Sequence, residues 1–209
     1  LFSFGGVSVT GTSVGTTTVN DAPILFYSRR IGLEDGREAP IRVGGRLTGR
    51  SGQFSIGALD IQTGKNDTPG STGKNFSVLR VKRDFLRRSS AGLIFTGRTP
   101  QNPTDTRPIT YGADGSFNFF ANIALNTYWS QTDGPKGRDT SYRGHFAYTG
   151  DRYGLQLERL LVGTNYDPVV GFVRRGDMRR SFGEVRFSPR PRNIKAIRKF
   201  SWLTSLSYA

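Results

Sequence analysis

The chain has 209 residues, of which 35% are hydrophobic and 22% charged, and it contains no Cys, which excludes disulfides, zinc–thiolate centres, iron–sulfur clusters and thiol catalysis. No apolar run approaches the ~18–20 residues of a membrane helix, and the mean hydropathy is −0.44. A membrane barrel stays open, because its strands are apolar on one face only. Thirty Lys and Arg against 16 Asp and Glu give a formal charge of +14. That balance suits an anionic partner, whether nucleic acid, anionic lipid headgroups or solutes, and equally suits a plain arginine-rich solvated surface.

Residues 1–40 read as a segment leading into the main body. Its Gly/Thr/Ser/Val-rich part, Val7 to Val19, is a strand or a loop, and Ile24 to Ile31 is a candidate first strand. From Ile41 the pattern sharpens. Ile41 to Thr63 alternates apolar and polar residues on either side of Gly49-Arg50-Ser51-Gly52, the signature of a β-hairpin. Its first arm sets Ile41, Val43, Gly45 and Leu47 against Arg42, Gly44, Arg46 and Thr48. Its second arm sets Leu59 and Ile61 against Ala58, Asp60 and Gln62.

Gly64 to Asn75 carries loop residues. Phe76 to Leu86 alternates Leu79, Val81 and Phe85 with Arg80, Lys82 and Asp84, and Arg83 breaks the pattern, as expected near a turn or interface. Gly92 to Arg98 returns with Leu93 and Phe95 on the apolar side. After the polar stretch Thr99 to Pro108, Ile109 to Phe119 places Tyr111, Ala113, Gly115, Phe117 and Phe119 on one face. Ile123 to Thr132 follows a short connection, with Leu125 and Trp129 against Asn126, Tyr128 and Ser130, and Asp133 to Thr140 reads as a loop. Ser141 to Thr149 separates Tyr142, Gly144, Phe146 and Tyr148 from Arg143, His145, Ala147 and Thr149. Gly150-Asp151-Arg152 is a tight turn before Tyr153 to Val162. Gly163 to Asp177 is a long loop, Met178 to Ser188 a strand, and Pro189 to Arg192 a break, since each Pro lacks a ladder donor. Ile197 to Tyr208 is the last strand.

Short and long connections alternate along this series, strand lengths are even, and aromatic residues gather near strand ends. These are habits of outer-membrane barrels, with short periplasmic turns, longer external loops and aromatic girdles. The expected fold is all-β, an antiparallel up-and-down transmembrane β-barrel spanning residues 41–209, with about ten to eleven strands of a larger barrel. The chain begins at Leu1 without Met and stops inside an apolar alternation, so a fragment truncated before closure is expected.

Such a barrel places Arg42, Arg46, Asp60, Arg80, Lys82, Asp84, Asp114, Arg143, His145, Glu158, Arg180, Glu184 and Arg186 toward its lumen. They either make a basic bore that favours anionic solutes or simply pair across neighbouring strands. Tyr166, Asp167, Pro168, Phe172, Arg174 and Arg175 form the candidate loop, folded inward as a constriction, set against lipid phosphate, or serving as a structural anchor. With one His and no calcium-loop spacing, no metal or cofactor is expected. Phosphate-loop and nucleophile-elbow motifs are absent too.

Several stretches resemble a bacterial outer-membrane β-barrel domain family of unknown function. They are Phe2 to Gly5, Leu25 to Gly32, Gly45 to Arg50, Ile56-Gly57, Val81 to Phe85, Tyr166 to Arg175 and Asp177 to Arg180. In that family the barrel follows a periplasmic domain similar to family-9 carbohydrate-binding modules. The resemblance implies membrane lipids, lipopolysaccharide included, as surroundings, a periplasmic carbohydrate-binding domain in the full-length chain, and no catalytic residues. The expected role is a pore, channel or conduit for anionic or saccharide solutes in the outer membrane. Two other classes compete: a basic single-strand nucleic-acid binder, and an envelope hydrolase that would use His145 with Asp114 or Glu158.

Overall fold

Period-2 alternation produces a sheet here almost from end to end. The computed structural model describes residues 2–5, 21–34, 36–65, 72–86, 88–102, 104–191 and 198–209. A short 3-10 turn at Ser28–Arg30 precedes a two-stranded hairpin, β1 (Leu33–Glu34) and β2 (Arg37–Glu38). Ten strands then pair in chain order as one antiparallel up-and-down sheet. They are β3 (Ile41–Ser51), β4 (Phe54–Thr63), β5 (Lys74–Phe85), β6 (Ser89–Pro100), β7 (Ile109–Phe119), β8 (Ile123–Gly134), β9 (Gly137–Thr149), β10 (Tyr153–Val162), β11 (Met178–Phe187) and β12 (Trp202–Tyr208). The sheet is open, with β3 and β12 at its two edges. Its meander order matches the expectation, and Val7 to Val19 lies outside the described residues.

Register sorts the side chains into two faces. One row runs Leu47, Ala58, Leu79, Phe95 and Tyr111, and the next Ile56, Val81, Leu93, Ala113, Trp129 and Tyr142. These rows make an outer face open to the surroundings: Leu47 is 70% exposed, Leu93 62% and Leu157 49%. The inner face is covered by three pieces of chain, residues 2–5, 21–31 and 163–177. Phe4, Leu25 and Tyr166 pack with Ile94, Tyr128, Leu160 and Met178, and Val169 and Val170 pack with Ile31, Phe76 and Val78.

Several expectations need correcting. Ile24 to Ile31 adds no strand to the sheet; Ile24 and Phe26 form isolated bridges with Phe172 and Val170, inside the cover. The first hairpin turns at Gly52 and Gln53, with Ser51 opposite Phe54, because Gly52 supplies the positive φ (+56°) that a two-residue hairpin loop needs at its first position. That even-length turn brings Phe54, Ile56 and Ala58 to the outer face and sends Leu59 and Ile61 inward, against the cover. The expected loop over Asp133 to Thr140 is instead a tight turn at Pro135 and Lys136, with Asp133 opposite Arg138 in the ladder. The alternation of short and long connections therefore fails there, and again at 188–201, which is long at the short-turn end.

The short-turn end carries an aromatic belt on the outer face. Tyr153, Phe187, Trp202 and Phe200 stack in series, with ring centroids 5.3, 5.8 and 5.5 Å apart. Phe85, Phe117 and Phe119 make a second series. Arg152 lies over Tyr153 and Phe187, and Arg83 over Phe54. Arg83 thus sits near a turn, as its break in the alternation suggests. Where an arginine lies over a ring, dispersion is joined by the attraction of the cation to the ring quadrupole.

Candidate functional site

The inner face is where charge and hydroxyls gather, and two ion networks dominate it. On β5, Arg80 is 1% exposed and grips Asp114 of β7 with both terminal nitrogens, Nη1 to Oδ1 at 2.6 Å and Nη2 to Oδ2 at 2.9 Å. It reaches across the intervening strand because Gly92 has no side chain; a Cβ there would lie 2.6 Å from Nη1 and 2.9 Å from Cζ. The cover completes the arrangement. Phe4 lies against the Arg80 guanidinium at 5.4 Å, and the Gly5 backbone N–H donates to Asp114 Oδ2 at 3.1 Å.

The second network crosses β9, β10 and β11. Glu158, with a side chain 2% exposed, accepts from Arg143 Nε at 2.8 Å, from Arg143 Nη2, and from Arg180 Nη2 at 2.5 Å. Arg180 Nη1 donates to Asp21 of the cover at 2.8 Å. Together the two networks hold Arg80, Arg143 and Arg180 against Asp114, Glu158 and Asp21, so their formal charges cancel. Cancellation is what burial demands, since an unpaired ion in a low-dielectric interior costs several kcal/mol, of order 3–5.

Beside the networks, toward the long-loop end of the sheet, lies a stripe of buried hydroxyls: Thr96, Thr110, Ser130, Thr132 and Ser141. The cover docks on it through hydrogen bonds. Tyr166 Oη and Ser130 Oγ are 2.7 Å apart, and the Val169 N–H donates to Thr110 Oγ1 at 3.2 Å. Burial pushes the Tyr166 phenol above its ordinary pKa, so it stays neutral and able to donate. The cover's own pieces are joined by backbone bonds between Ile24 and Phe172 (3.0 and 2.9 Å) and from Tyr27 N–H to Val170 O (2.8 Å). Arg30 Nη1 donates to Gly171 O. Gly171 permits this approach, since a Cβ there would sit 1.7 Å from the Ile24 carbonyl oxygen.

Of the predicted lumen residues, Arg46, Arg80, Lys82, Asp84, Asp114, Arg143, His145, Glu158, Arg180, Glu184 and Arg186 lie on the inner face, as ladder parity requires. Arg42 is exposed, at the irregularity between Ile41 and Val43. Asp60 is a correction: it faces outward in the row of Ser77 and accepts hydrogen bonds from Ser77 Oγ (2.6 Å) and Asn75 Nδ2 (3.1 Å). Lys82 and Arg50 flank Asp84 in an exposed cluster, and Arg186 donates to the Gly150 carbonyl at 2.5 Å. In the candidate loop, Tyr166 and Pro168 are buried and Phe172 stacks edge-on against Tyr27. Asp167 meets Arg30 and Lys136, whereas Arg174 and Arg175 point to the surroundings and do not fold inward.

The residues that a hydrolytic site would use are engaged otherwise. Asp114 and Glu158 are held by guanidinium groups, and His145 hydrogen-bonds Gln156. Sequence reasoning missed the hydroxyl stripe, Asp21, and Arg98 on β6. The stripe had a local signal, since Thr96, Thr110, Ser130 and Ser141 share the parity of the charged face; Asp21 had none, its partner Arg180 lying far along the chain.

Replacing Gly92 by Ala is expected to cost about 2–3 kcal/mol, because the new Cβ displaces Arg80 from Asp114 and leaves a buried acceptor underpaired. A denaturation midpoint measured beside that of Gly144→Ala, where nothing lies within 4 Å, checks it.

The chain matches no protein-family model, no curated protein and no solved structure, so the functional reading rests on its own geometry.

Proposed function

We propose that this chain forms the wall of a bacterial outer-membrane β-barrel that acts as a gated pore or transport conduit for small polar solutes, with anionic and saccharide solutes favoured. The single observation that carries this reading is the inversion of the two faces. The outer face is largely apolar and exposed, interrupted by Asp60, Arg83, Arg159 and Arg179, while the buried guanidinium groups and most buried hydroxyls point into the covered side. Soluble monomers seldom expose apolar patches beyond a few hundred Å². An outer face of Leu, Ile, Val and aromatic residues, flanked at one end by stacked rings and arginines, suits hydrocarbon bounded by headgroups, lipopolysaccharide among them.

The cover supports gating. Besides its two apolar clusters, the cover rests on hydroxyls and ion pairs that water can satisfy once it moves. Stretches such as Gly45 to Arg50 and Tyr166 to Arg175 add the resemblance to the barrel family, and with it a periplasmic carbohydrate-binding domain in the full-length chain.

Carbonate extraction followed by detergent, heat-modifiable gel migration and conductance in planar bilayers test the proposal together. Retention through carbonate, a band that shifts on boiling, and discrete conductance are expected. A protein that stays soluble without detergent overturns it, and salt-dependent oligonucleotide binding by that soluble form would favour the nucleic-acid reading. Gly171→Ala is expected to raise the open fraction severalfold, because its Cβ forces the 163–177 segment off Ile24. Unchanged conductance in that variant would separate the cover from gating.

A further inference from the structure

At the end of the sheet where β4 meets β5, a cavity of about 280 Å³ lies beneath the β1–β2 hairpin. Its floor is apolar, made by buried Phe76 and Val169, and cations stand round its sides: Arg30, Lys74 and Arg98. Among the described residues no carboxylate lines it. A smaller neighbouring cavity, about 90 Å³, shares Arg30, Arg98 and Val169 and adds Lys136 and Asp167. Asp167, the carboxylate among the described lining residues, is met by Lys136 at 3.5 Å and Arg30 at 3.8 Å.

The geometry points to an oxyanion site here: we infer that this cavity binds the phosphate or like oxyanion of a solute no larger than a sugar phosphate. Three observations converge. Arg98 is paired in register with Phe76, so its half-buried side chain leaves the ladder on the inner face and lines the cavity with that ring, and no ion pair joins it to a carboxylate among the described residues. Arg30 is held by the Gly171 carbonyl, which orders one fork of the site before any ligand arrives. A planar guanidinium suits two-point recognition of an oxyanion. The volume lies just below the ~300–1,000 Å³ of ordinary small-molecule sites, which admits a small solute and excludes a polymer. Phe76 then offers an apolar floor to the non-ionic part of the ligand.

The inference does not depend on the conduit reading, because binding is read in detergent micelles without a membrane. Equilibrium dialysis of the full chain with radiolabelled inorganic phosphate is expected to show saturable binding. Unlabelled glucose 6-phosphate should compete, and glucose should not. Arg98→Gln should weaken binding about tenfold or more, the usual loss when one charged hydrogen-bonding partner is removed. Arg98→Lys should retain part of it, which guards against a simple folding defect. Arg50→Gln, which removes an equal charge at the far end of the same face, should leave it unchanged. Phosphatidic acid in the micelles distinguishes the sources: displacement of phosphate through Arg98 assigns the site to a lipid phosphate, and no displacement assigns it to a soluble solute. Wild-type affinity in Arg98→Gln, or equal competition by glucose and glucose 6-phosphate, overturns the site.

Discussion

Replacing Glu158 by Gln is expected to lower stability by about 3 kcal/mol or more, although no atom is added and one charge is lost. The carboxylate is almost wholly buried and stands between two guanidinium groups. An amide keeps one acceptor oxygen and presents an NH₂ that points donor hydrogens at an arginine, so Arg143 or Arg180 is left as an uncompensated buried cation. Removing one partner of a buried pair characteristically costs about 3–5 kcal/mol. Asp84→Asn is the matched comparison. Its carboxylate is about 39% exposed between Lys82 and Arg50, and such pairs contribute about 0–1 kcal/mol. Urea midpoints of the two variants, read from the gel band that shifts on boiling, measure the difference. Equal midpoints would show that the network is solvated and that the cover does not seal it.

Leu93→Arg is expected to be the most damaging change on the opposite face. The side chain is 62% exposed and lies midway along β6, between Val81 and Ala113 in its row. In water such a substitution would alter stability by about ±0.5 kcal/mol. In a bilayer it sets a guanidinium near the midplane, at about 2–4 kcal/mol. The same change at Leu206, near the edge of the sheet on the exposed strand β12, offers a second position on that face. Refolding yields into lipid vesicles and into detergent measure it. A loss confined to vesicles follows from the lipid-facing reading, and no loss in either contradicts it.

Much of the fold was legible because the physical signal was local. Alternation over Ile109 to Phe119 and Ser141 to Thr149 depends only on the pleat, and the observed strands and faces follow it. The same rule placed Arg80, Asp114, Arg143, Glu158 and Arg180 together on one side. It failed where the two faces cease to differ in polarity. Leu59 and Ile61 are apolar and yet point inward, because the 163–177 segment brings Val169 and Val170 to meet them, and that meeting has no trace near residue 60. Once Leu59 was read outward, Asp60 was bound to be read inward.

The cover was harder still. Ile24 to Ile31 has strand-like composition but spends its hydrogen bonds on Phe172 and Val170 rather than on a sheet neighbour. Asp133 to Thr140 is polar like a loop, yet Asp133 and Arg138 pair through their side chains across a hairpin, which polar residues at a wet rim do readily. The cation-lined cavity is assembled from residues 30, 74 and 98, on three separate pieces of chain, and only the fold unites them.

Whether hydrocarbon wets the outer face is read out by the two tryptophans. Trp129 stands in the outer row of Leu93 and Tyr142, and Trp202 in the aromatic belt. With Trp202→Phe leaving Trp129 as the sole emitter, the protein is refolded into vesicles whose acyl chains carry bromine. Blue-shifted emission is expected, strongly quenched when bromine sits deep in the acyl chain. Emission at the wavelength of a water-exposed indole, unaffected by bromine at any depth, overturns the lipid-facing reading.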